Sequence, residues 1–421
     1  MIFGLRLALV AILVFGTTVV LAEAQVFASI EEIAVPSKGE VEQPSLVALP
    51  DGRLAMTWTE LSGPTYAEVW FALRDETGWT EPVSLAKGDD LFVNYADFPT
   101  AVGLSDGTIA AHWLRMNGDS SYAYDVNIAL SSDGGATWGP PVVPHQDGSA
   151  RQHGFVSLLP DGPGGVLAMW LDGRNYDTTD AFGGGDPNAN AMQLRATTLN
   201  QQPAVSQDRL LDDRTCSCCQ TSATIAAEGT VILAYRDRTA DEIRDISVVR
   251  RVDGLWTDPM PVSGDGWEIS GCPVNGPAID ALGDNATLAW FTAADGIPAV
   301  KIAFSDDRAK SFGAPQRIDL GGAVGQVDLL QLADGSALVS WVEITTDGEA
   351  LLVCRATSAS GCSGPVAITV NPAGRTIGFP RMAMADGKVY IAWSEPARDE
   401  LGKTDGRPTI RAAVATLEPV K

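Results

Sequence analysis

Four of the six cysteines in this chain of 421 residues fall in two short runs, Cys216-Ser217-Cys218-Cys219 and Gly271-Cys272-Pro273. Brought together, Cys216, Cys218, Cys219 and Cys272 offer a thiolate-rich site for Cu(I) or Zn(II). The C-x-C-C spacing is not a standard zinc spacing, and disulfide bonding, with Cys272 joined to one of the other three, is an equal alternative. Cys354 and Cys362 flank Ser358-Ala359-Ser360 across an expected outer hairpin, a spacing that suits a structural disulfide. A second set of groups is cationic: Arg151, Arg174, Arg236, Arg238 and Arg375. Forked guanidiniums suit a carboxylate, sulfate or phosphate on a ligand, although Asp172, Asp237 and Asp245 could instead pair with them within the chain. His153 is a ligand or acid/base candidate, and Asn275 belongs to the same set. His112 precedes Trp113 in an apolar run and reads as a packed core residue.

What positions these groups is an internal repeat. Each copy has an apolar strand, a tight turn, and a second apolar strand ending in an aromatic. The turns are Asp51-Gly52, Asp106-Gly107, Asp161-Gly162, Glu228-Gly229, Gly283-Asp284, Asp334-Gly335 and Asp386-Gly387; the aromatics are Trp58, Trp113, Trp170, Tyr235, Trp290, Trp341 and Trp393. An acidic-Gly pair between apolar runs is a strong hairpin signal, because tight hairpin turns need positive φ. Runs such as Val231–Tyr235 are apolar on both faces, so the strands are buried on both sides. Successive aromatics lie 51 to 65 residues apart, room for four strands per copy. The expected fold is therefore all-β, a propeller of four-stranded blades, with seven blades favoured over six. Ile30–Pro36, ahead of the first copy, can supply the outer strand that the last copy lacks, closing the ring and removing exposed edges.

In this arrangement the residues just before each first strand and just after each second strand share one rim of the ring. Preceding the first strands are Glu42, Asp97, Arg151 with His153, the Cys216–Cys219 run, Cys272 with Asn275, Asp328 and Arg375; following the second strands are Glu60, Arg115, Asp172 with Arg174, Arg236-Asp237-Arg238, Glu343 and Glu395. The long segment Asp172–Asn190, with Gly183-Gly184-Gly185, arches over the same face and has the length of a lid or binding loop.

Ser131-Ser132-Asp133-Gly134-Gly135-Ala136-Thr137-Trp138 matches the S-x-D-x-G-x-T-W Asp box, and Ser305–Phe312 is a second copy with Ala309 and Phe312 replacing Gly and Trp. On these motifs the chain resembles the sialidase-like, Asp-box (BNR) β-propellers. The resemblance implies that the box is a structural turn remote from the site, with the Asp capping turn amides and the aromatic packing between strands. It also implies glycan recognition at the central face, and, if the chain is an enzyme, a glycoside hydrolase of sialidase type. Sialidases hold the substrate carboxylate with three arginines, the first in an Arg-Ile-Pro motif; here Glu42-Gln43-Pro44 stands in its place. Glycosidase chemistry needs two carboxylates at fixed separation, and Asp97, Asp172, Asp237, Asp328 and Glu343 all qualify by position.

Composition narrows the rest. With 53 Asp and Glu against 29 Lys and Arg, the formal charge is −24, which repels nucleic acid and anionic membranes. Arg6, the apolar run Leu7–Leu21 and the small-residue site Ala22-Glu23-Ala24 read as a signal peptide over residues 1–24, leaving 25–421 as an extracytoplasmic propeller, periplasmic or secreted. An uncleaved N-terminal anchor is the alternative, and no other apolar stretch is expected to cross a membrane. The function expected is binding of a polar or anionic ligand, a glycan, at the central face. The alternatives are a copper, zinc or redox protein built on the cysteine cluster, and a non-catalytic scaffold for another protein.

Overall fold

The computed structural model describes residues 26–37, 39–176, 191–200, 205–372, 377–398 and 404–419. The expected signal peptide, the glycine-rich part of the Asp172–Asn190 segment and Arg375 lie outside the described residues.

Seven antiparallel sheets, each built on a copy of the repeat, form a seven-bladed propeller. In blade 1, Glu40–Ala48, Leu54–Leu61, Ala67–Asp75 and Val83–Gly88 pair in chain order, with the short Gly78–Trp79 beside them. Blade 2 has Thr100–Gly103, Ile109–Met116 and Tyr124–Ser131, and its fourth strand is reduced to a bridge between Ile128 and Val142. Blade 3 holds His153–Pro160, Val166–Asp172, Met192–Leu199 and Arg209–Thr215; blade 4 holds Ser222–Ile225, Val231–Arg236 and Ile246–Val252, with Leu255–Trp256 and Met260–Pro261 sharing its outer edge. Blade 5 runs through Ala278–Leu282, Asn285–Thr292, Ala299–Ser305 and Gln316–Arg317, and blade 6 through Ala323–Gln331, Ala337–Thr345, Gly348–Thr357 and Gly361–Asn371. Blade 7 combines Arg381–Ala385, Lys388–Arg398 and Thr404–Leu417 with the N-terminal strand Phe27–Ile33, which pairs antiparallel to Thr404–Leu417 and closes the ring.

The repeated turns adopt the backbone their residues allow. Gly52, Gly107, Gly335 and Gly387 have φ of +86°, +88°, +83° and +70°. The closing aromatics are the core: Trp58, Trp170, Trp290 and Trp341 are fully buried between neighbouring sheets. Burying an indole needs an acceptor for its N–H. Four copies supply one two residues further on, where Trp58, Trp170, Trp341 and Trp393 donate to Glu60, Asp172, Glu343 and Glu395 at 3.1, 2.9, 2.6 and 3.0 Å. Blade 5 has Thr292 there, and Trp290 donates to Asp265 at 2.7 Å instead.

The inner strands face the channel and have no strand on that side to satisfy their backbone. Side chains of the preceding blade accept these N–H groups. Asp97 accepts from Phe155 at 2.8 Å, Gln220 from Gly276 at 3.0 Å, Asn275 from Gln326 at 2.7 Å, Asp280 from Gln331 at 2.8 Å and Asp328 from Met382 at 2.6 Å. Bulges with positive φ at Gln43, Phe155 and Gln326 interrupt the inner strands of blades 1, 3 and 6 near the upper rim.

Both Asp boxes form the same turn. Asp133 accepts from the Thr137 N–H and hydroxyl at 2.9 and 2.6 Å, and Ser131 Oγ accepts from Gly135 N–H at 2.8 Å. Asp307 accepts from the Ser311 N–H and hydroxyl at 2.9 and 2.7 Å, and Ser305 Oγ accepts from Ala309 N–H at 2.9 Å. These bonds hold the Asp133 carboxyl down at about 2. Trp138 packs edge-on to Phe71 of blade 1, a ring-centre distance of 5.2 Å.

Candidate functional site

The rim expected from topology is present. His153 at the head of an inner strand stands opposite Asp172 at the end of the next, and Ala323 stands opposite Glu343 in the same way. A cavity of about 780 Å³ opens on this face, lined among others by Glu42, Gln43, Tyr95, Asn275, Phe291 and Gln326. Its residues come from blades 1, 5, 6 and 7 and from the segment leading into blade 2.

The Glu42 carboxyl has no hydrogen bond or ion pair among the described residues, and its burial, with Glu40 nearby, raises it above the usual range. Gln326 Oε1 is buried without a partner. Tyr95 is 55% exposed, its ring 6.2 Å from that of Phe379. Partial burial pushes the Tyr95 hydroxyl up. Glu349 and Glu395 add two more acidic residues to the wall, the first accepting the Ile377 N–H at 2.8 Å and the second carrying the Trp393 bond.

The arginines of blades 3 and 4 are occupied by the chain itself. Arg174 grips Asp172 with two bonds of 2.7 Å and reaches Asp208 at 2.5 Å. Arg236, only 1% exposed, donates to the carbonyls of Asn275, Arg244 and Phe291 at 2.8, 2.6 and 2.7 Å and lies over the Trp267 ring. It therefore joins blade 4 to blade 5. Arg238 holds Glu242 at 2.5 Å, and its N–H donates to Asp237 at 2.6 Å. Burial raises the Asp237 carboxyl, Asp245 adding to it, against the hydrogen bonds from Arg238 and Ser247. Asp245 turns to the Gly266 and Trp267 N–H groups at 2.8 and 3.0 Å. The Arg151 carbonyl accepts from Tyr124 N–H at 3.1 Å and lies 3.1 Å from His153 Nδ1.

His153 has a companion that the repeat pattern does not mark. His145, in the connection from blade 2 to blade 3, stacks on it with ring centres 3.6 Å apart and planes 7° from parallel. Asp147 lies 3.1 Å from His145 Nδ1 and 3.3 Å from His153 Nε2, and Asp125 and Asp172 stand 3.6 and 3.8 Å from His153. Burial disfavours charge on His153, but the three carboxylates outweigh it and raise its pKa. Burial likewise opposes charge on Asp147, yet the two imidazoles and Ser149 hold it well below the usual range. The donor types suit a cation, but two imidazoles in parallel planes do not aim their lone pairs at one point. Arg174, 3.7 Å from Asp147, already supplies positive charge. The arrangement is a histidine–carboxylate clamp joining blades 2 and 3. The only signal for it in the sequence is His145-Gln146-Asp147, eight residues ahead of His153.

The four cysteines do converge. Cys218 and Cys272 lie at disulfide distance with Cα atoms 6.1 Å apart, linking the approach to blade 4 with the approach to blade 5. Cys216 and Cys219 are free and buried, their sulfurs 2.7 Å apart, and Cys216 Sγ is 3.8 Å from Cys218 Sγ. With Cys218 and Cys272 bonded, the four sulfurs are not a thiolate cage in this state. Burial opposes ionisation of Cys216, but the Cys219 S–H and the guanidinium of Arg244, 3.7 Å away, bring it down to about 6; burial and Cys216 push Cys219 well up. Gln152, next to His153, donates to the Ser217 carbonyl at 3.1 Å, so the histidine clamp and the cysteine run are contiguous. Cys354 and Cys362 also lie at disulfide distance, within blade 6.

Among the rim residues, Asp97, Asn275 and Asp328 are the interblade acceptors described above, and Glu60, Asp172, Glu343 and Glu395 are indole acceptors. His112 is fully buried within blade 2, and burial lowers its pKa to about 3. No protein-family model and no curated protein sequence matches the chain. Among solved structures, the BP39L lectin from Burkholderia pseudomallei is similar in fold, with a TM-score of 0.54 at 14% identity over 91% of this chain and 98% of the lectin. A protein of unknown function from Dyadobacter fermentans is similar at a TM-score of 0.53 and 12% identity, covering 93% of this chain and 99% of that one. At these identities the likeness is one of fold.

Proposed function

We propose that this is an exported carbohydrate-binding propeller that holds a neutral, hydroxyl-rich glycan in its central cavity. One observation carries the reading: the 780 Å³ cavity is lined by the exposed Tyr95 together with Glu42, whose carboxyl has no partner among the described residues, and the Gln326 amide. A pyranose ring offers C–H faces to an aromatic and hydroxyls to a carboxylate and an amide, which is the mix lining this wall. The acidic wall and the internal engagement of Arg174, Arg236 and Arg238 favour a neutral sugar over an anionic one. Two Asp-box turns support a place among the Asp-box propellers, and a lectin shares the fold. Glu42 in place of the first sialidase arginine speaks against sialidase turnover.

Glycan-array screening of the mature protein, followed by calorimetry on the hits, tests the reading. Tyr95→Ala should weaken binding about tenfold, the equivalent of about 1.4 kcal/mol of stacking. Glu42→Gln, which keeps shape and removes charge, should weaken it less. A folded protein that binds no neutral glycan overturns the reading. Binding restricted to sialylated or sulfated glycans returns it to an anionic ligand, and capture of a protein alone leaves the scaffold function.

A further inference from the structure

We propose that Cys216, Cys218, Cys219 and Cys272 form a two-pair thiol–disulfide relay, in which the surface pair Cys218–Cys272 exchanges electrons with external dithiols or disulfides and the buried pair Cys216/Cys219 exchanges with it. The relay does not depend on glycan binding.

Position separates the two pairs. Cys272 is exposed and lines the mouth of the central cavity, Cys218 is partly exposed, and Cys216 and Cys219 are buried behind them. Contact joins them. Cys216 Sγ stands 2.7 Å from Cys219 Sγ and 3.8 Å from Cys218 Sγ, so one sulfur touches both the partner of its own pair and the near end of the other. Arg244, 3.7 Å from Cys216 Sγ, is placed to hold it as a thiolate. A purely structural bridge in the same chain looks different. Cys354–Cys362 ties two neighbouring strands of blade 6, with no third cysteine beside it among the described residues.

The exchange balances internally. The Cys216 thiolate attacks Cys218 Sγ, a Cys216–Cys218 bond forms, the Cys218–Cys272 bond breaks, and Cys272 leaves as a thiolate that takes a proton from solvent. Cys219 then gives up its proton and attacks Cys216 Sγ. The Cys216–Cys218 bond breaks, Cys218 leaves as a thiolate and is protonated, and a Cys216–Cys219 disulfide remains. Two electrons have passed from the buried pair to the surface pair. From there, the Cys272 or Cys218 thiolate attacks an external disulfide and expels one of its sulfurs as a thiolate; in the reverse direction, an external dithiol attacks Cys272 while it is still bonded to Cys218, and Cys218 leaves as the thiolate.

The full mature protein, oxidised and then treated with one molar equivalent of dithiothreitol, provides the test. Samples are acid-quenched over time, alkylated and mapped by peptide mass spectrometry. Label should reach Cys218 and Cys272 first and then divide between both pairs, while Cys354 and Cys362 stay protected. In Cys219→Ser the second step is blocked, so without reductant the single cluster thiol should be labelled at both Cys216 and Cys272. The relay is overturned if label in the wild type never leaves Cys218 and Cys272, or if oxidised protein never contains a Cys216–Cys219 bond. Labelling of Cys219→Ser at Cys216 alone also overturns it. If that variant does not fold, the wild-type time course decides.

Discussion

The indole N–H of Trp341 donates to the Glu343 carboxylate at 2.6 Å, two residues further along the same strand. Strand residues two apart point to the same face, so a buried tryptophan near the end of a strand carries its own acceptor in the sequence. Trp58, Trp170 and Trp393 repeat the device with Glu60, Asp172 and Glu395. These acids fall on the rim where ligand-binding groups were expected, but their lone pairs are used by the scaffold.

Glu343 also accepts the N–H of Leu320 at 2.9 Å and of Gly322 at 2.8 Å. Glu343→Leu leaves the indole and two backbone donors without an acceptor. Each such loss costs about 1–3 kcal/mol, so the variant should lose at least about 3 kcal/mol or fail to accumulate. Glu343→Gln keeps one acceptor oxygen and should fall between it and the wild type in urea denaturation.

The two Asp boxes differ at one informative place. Gly135 has φ of +88°, and a Cβ there would meet Phe71 Cε1 at 2.3 Å, whereas Ala309 holds the equivalent place in the second box with φ of +57° and a fully buried methyl. Gly135→Ala should cost about 1–3 kcal/mol, from backbone strain and from displacing the Phe71 ring against Trp138. Ala309→Gly relieves strain but loses a packed methyl and gains unfolded-state freedom, so it should stay within about 1 kcal/mol of neutral. Thermal denaturation of the two variants checks the contrast.

Much of this was legible from residue order because a propeller turns sequence distance into a simple rule of adjacency. Seven turns and seven aromatics implied seven blades, and the rule placed Cys272 beside the Cys216–Cys219 run although 52 residues separate Cys219 from Cys272. Arg236 shows where the rule ends. Its position on the rim was correct, but whether a guanidinium points at a ligand or at three carbonyls depends on loops in blades 4 and 5 that follow no repeat. His145 was missed for the same reason, since it lies in a connection between blades. Tyr95 precedes the first strand of blade 2 without alignment to any residue of the repeat, and only folding sets it in the cavity wall.

Asp97 makes a pH-dependent contribution of definite sign. Burial raises its carboxyl to about 7, against the hydrogen bond that Oδ1 accepts from the Phe155 N–H. The unfolded chain ionises this group near 3.8 while the native state still holds the proton, so raising the pH between those values lowers stability. Asp97→Asn keeps an acceptor for the Phe155 N–H and removes the titration. Its stability relative to the wild type should rise as pH goes from 4 to 7 and level off above, by up to about 4 kcal/mol at 1.36 kcal/mol per unit. Urea midpoints across that range for both proteins measure the difference; parallel curves would contradict it.

The histidine clamp behaves differently, since its two halves titrate in opposite senses. Asp147 is depressed below its ordinary 3.8, so its contribution is present above that value and lost as the pH falls through its lower native value. His153 is raised above 6.5 by Asp147, Asp172 and Asp125, so its contribution is complete below 6.5 and lost as the pH rises through its native value. Both are complete together between about 4 and 6.5. Asp147→Asn should therefore destabilise the protein most in that window and less once the pH has risen through the raised native value of His153, where the imidazole has lost its charge. Imidazole proton resonances of His153 should titrate at lower pH in the variant, because one of the three charges holding its proton is gone. A destabilisation independent of pH would mean that Asp147 acts through hydrogen bonds such as those from Ser149 and not through the charge on His153.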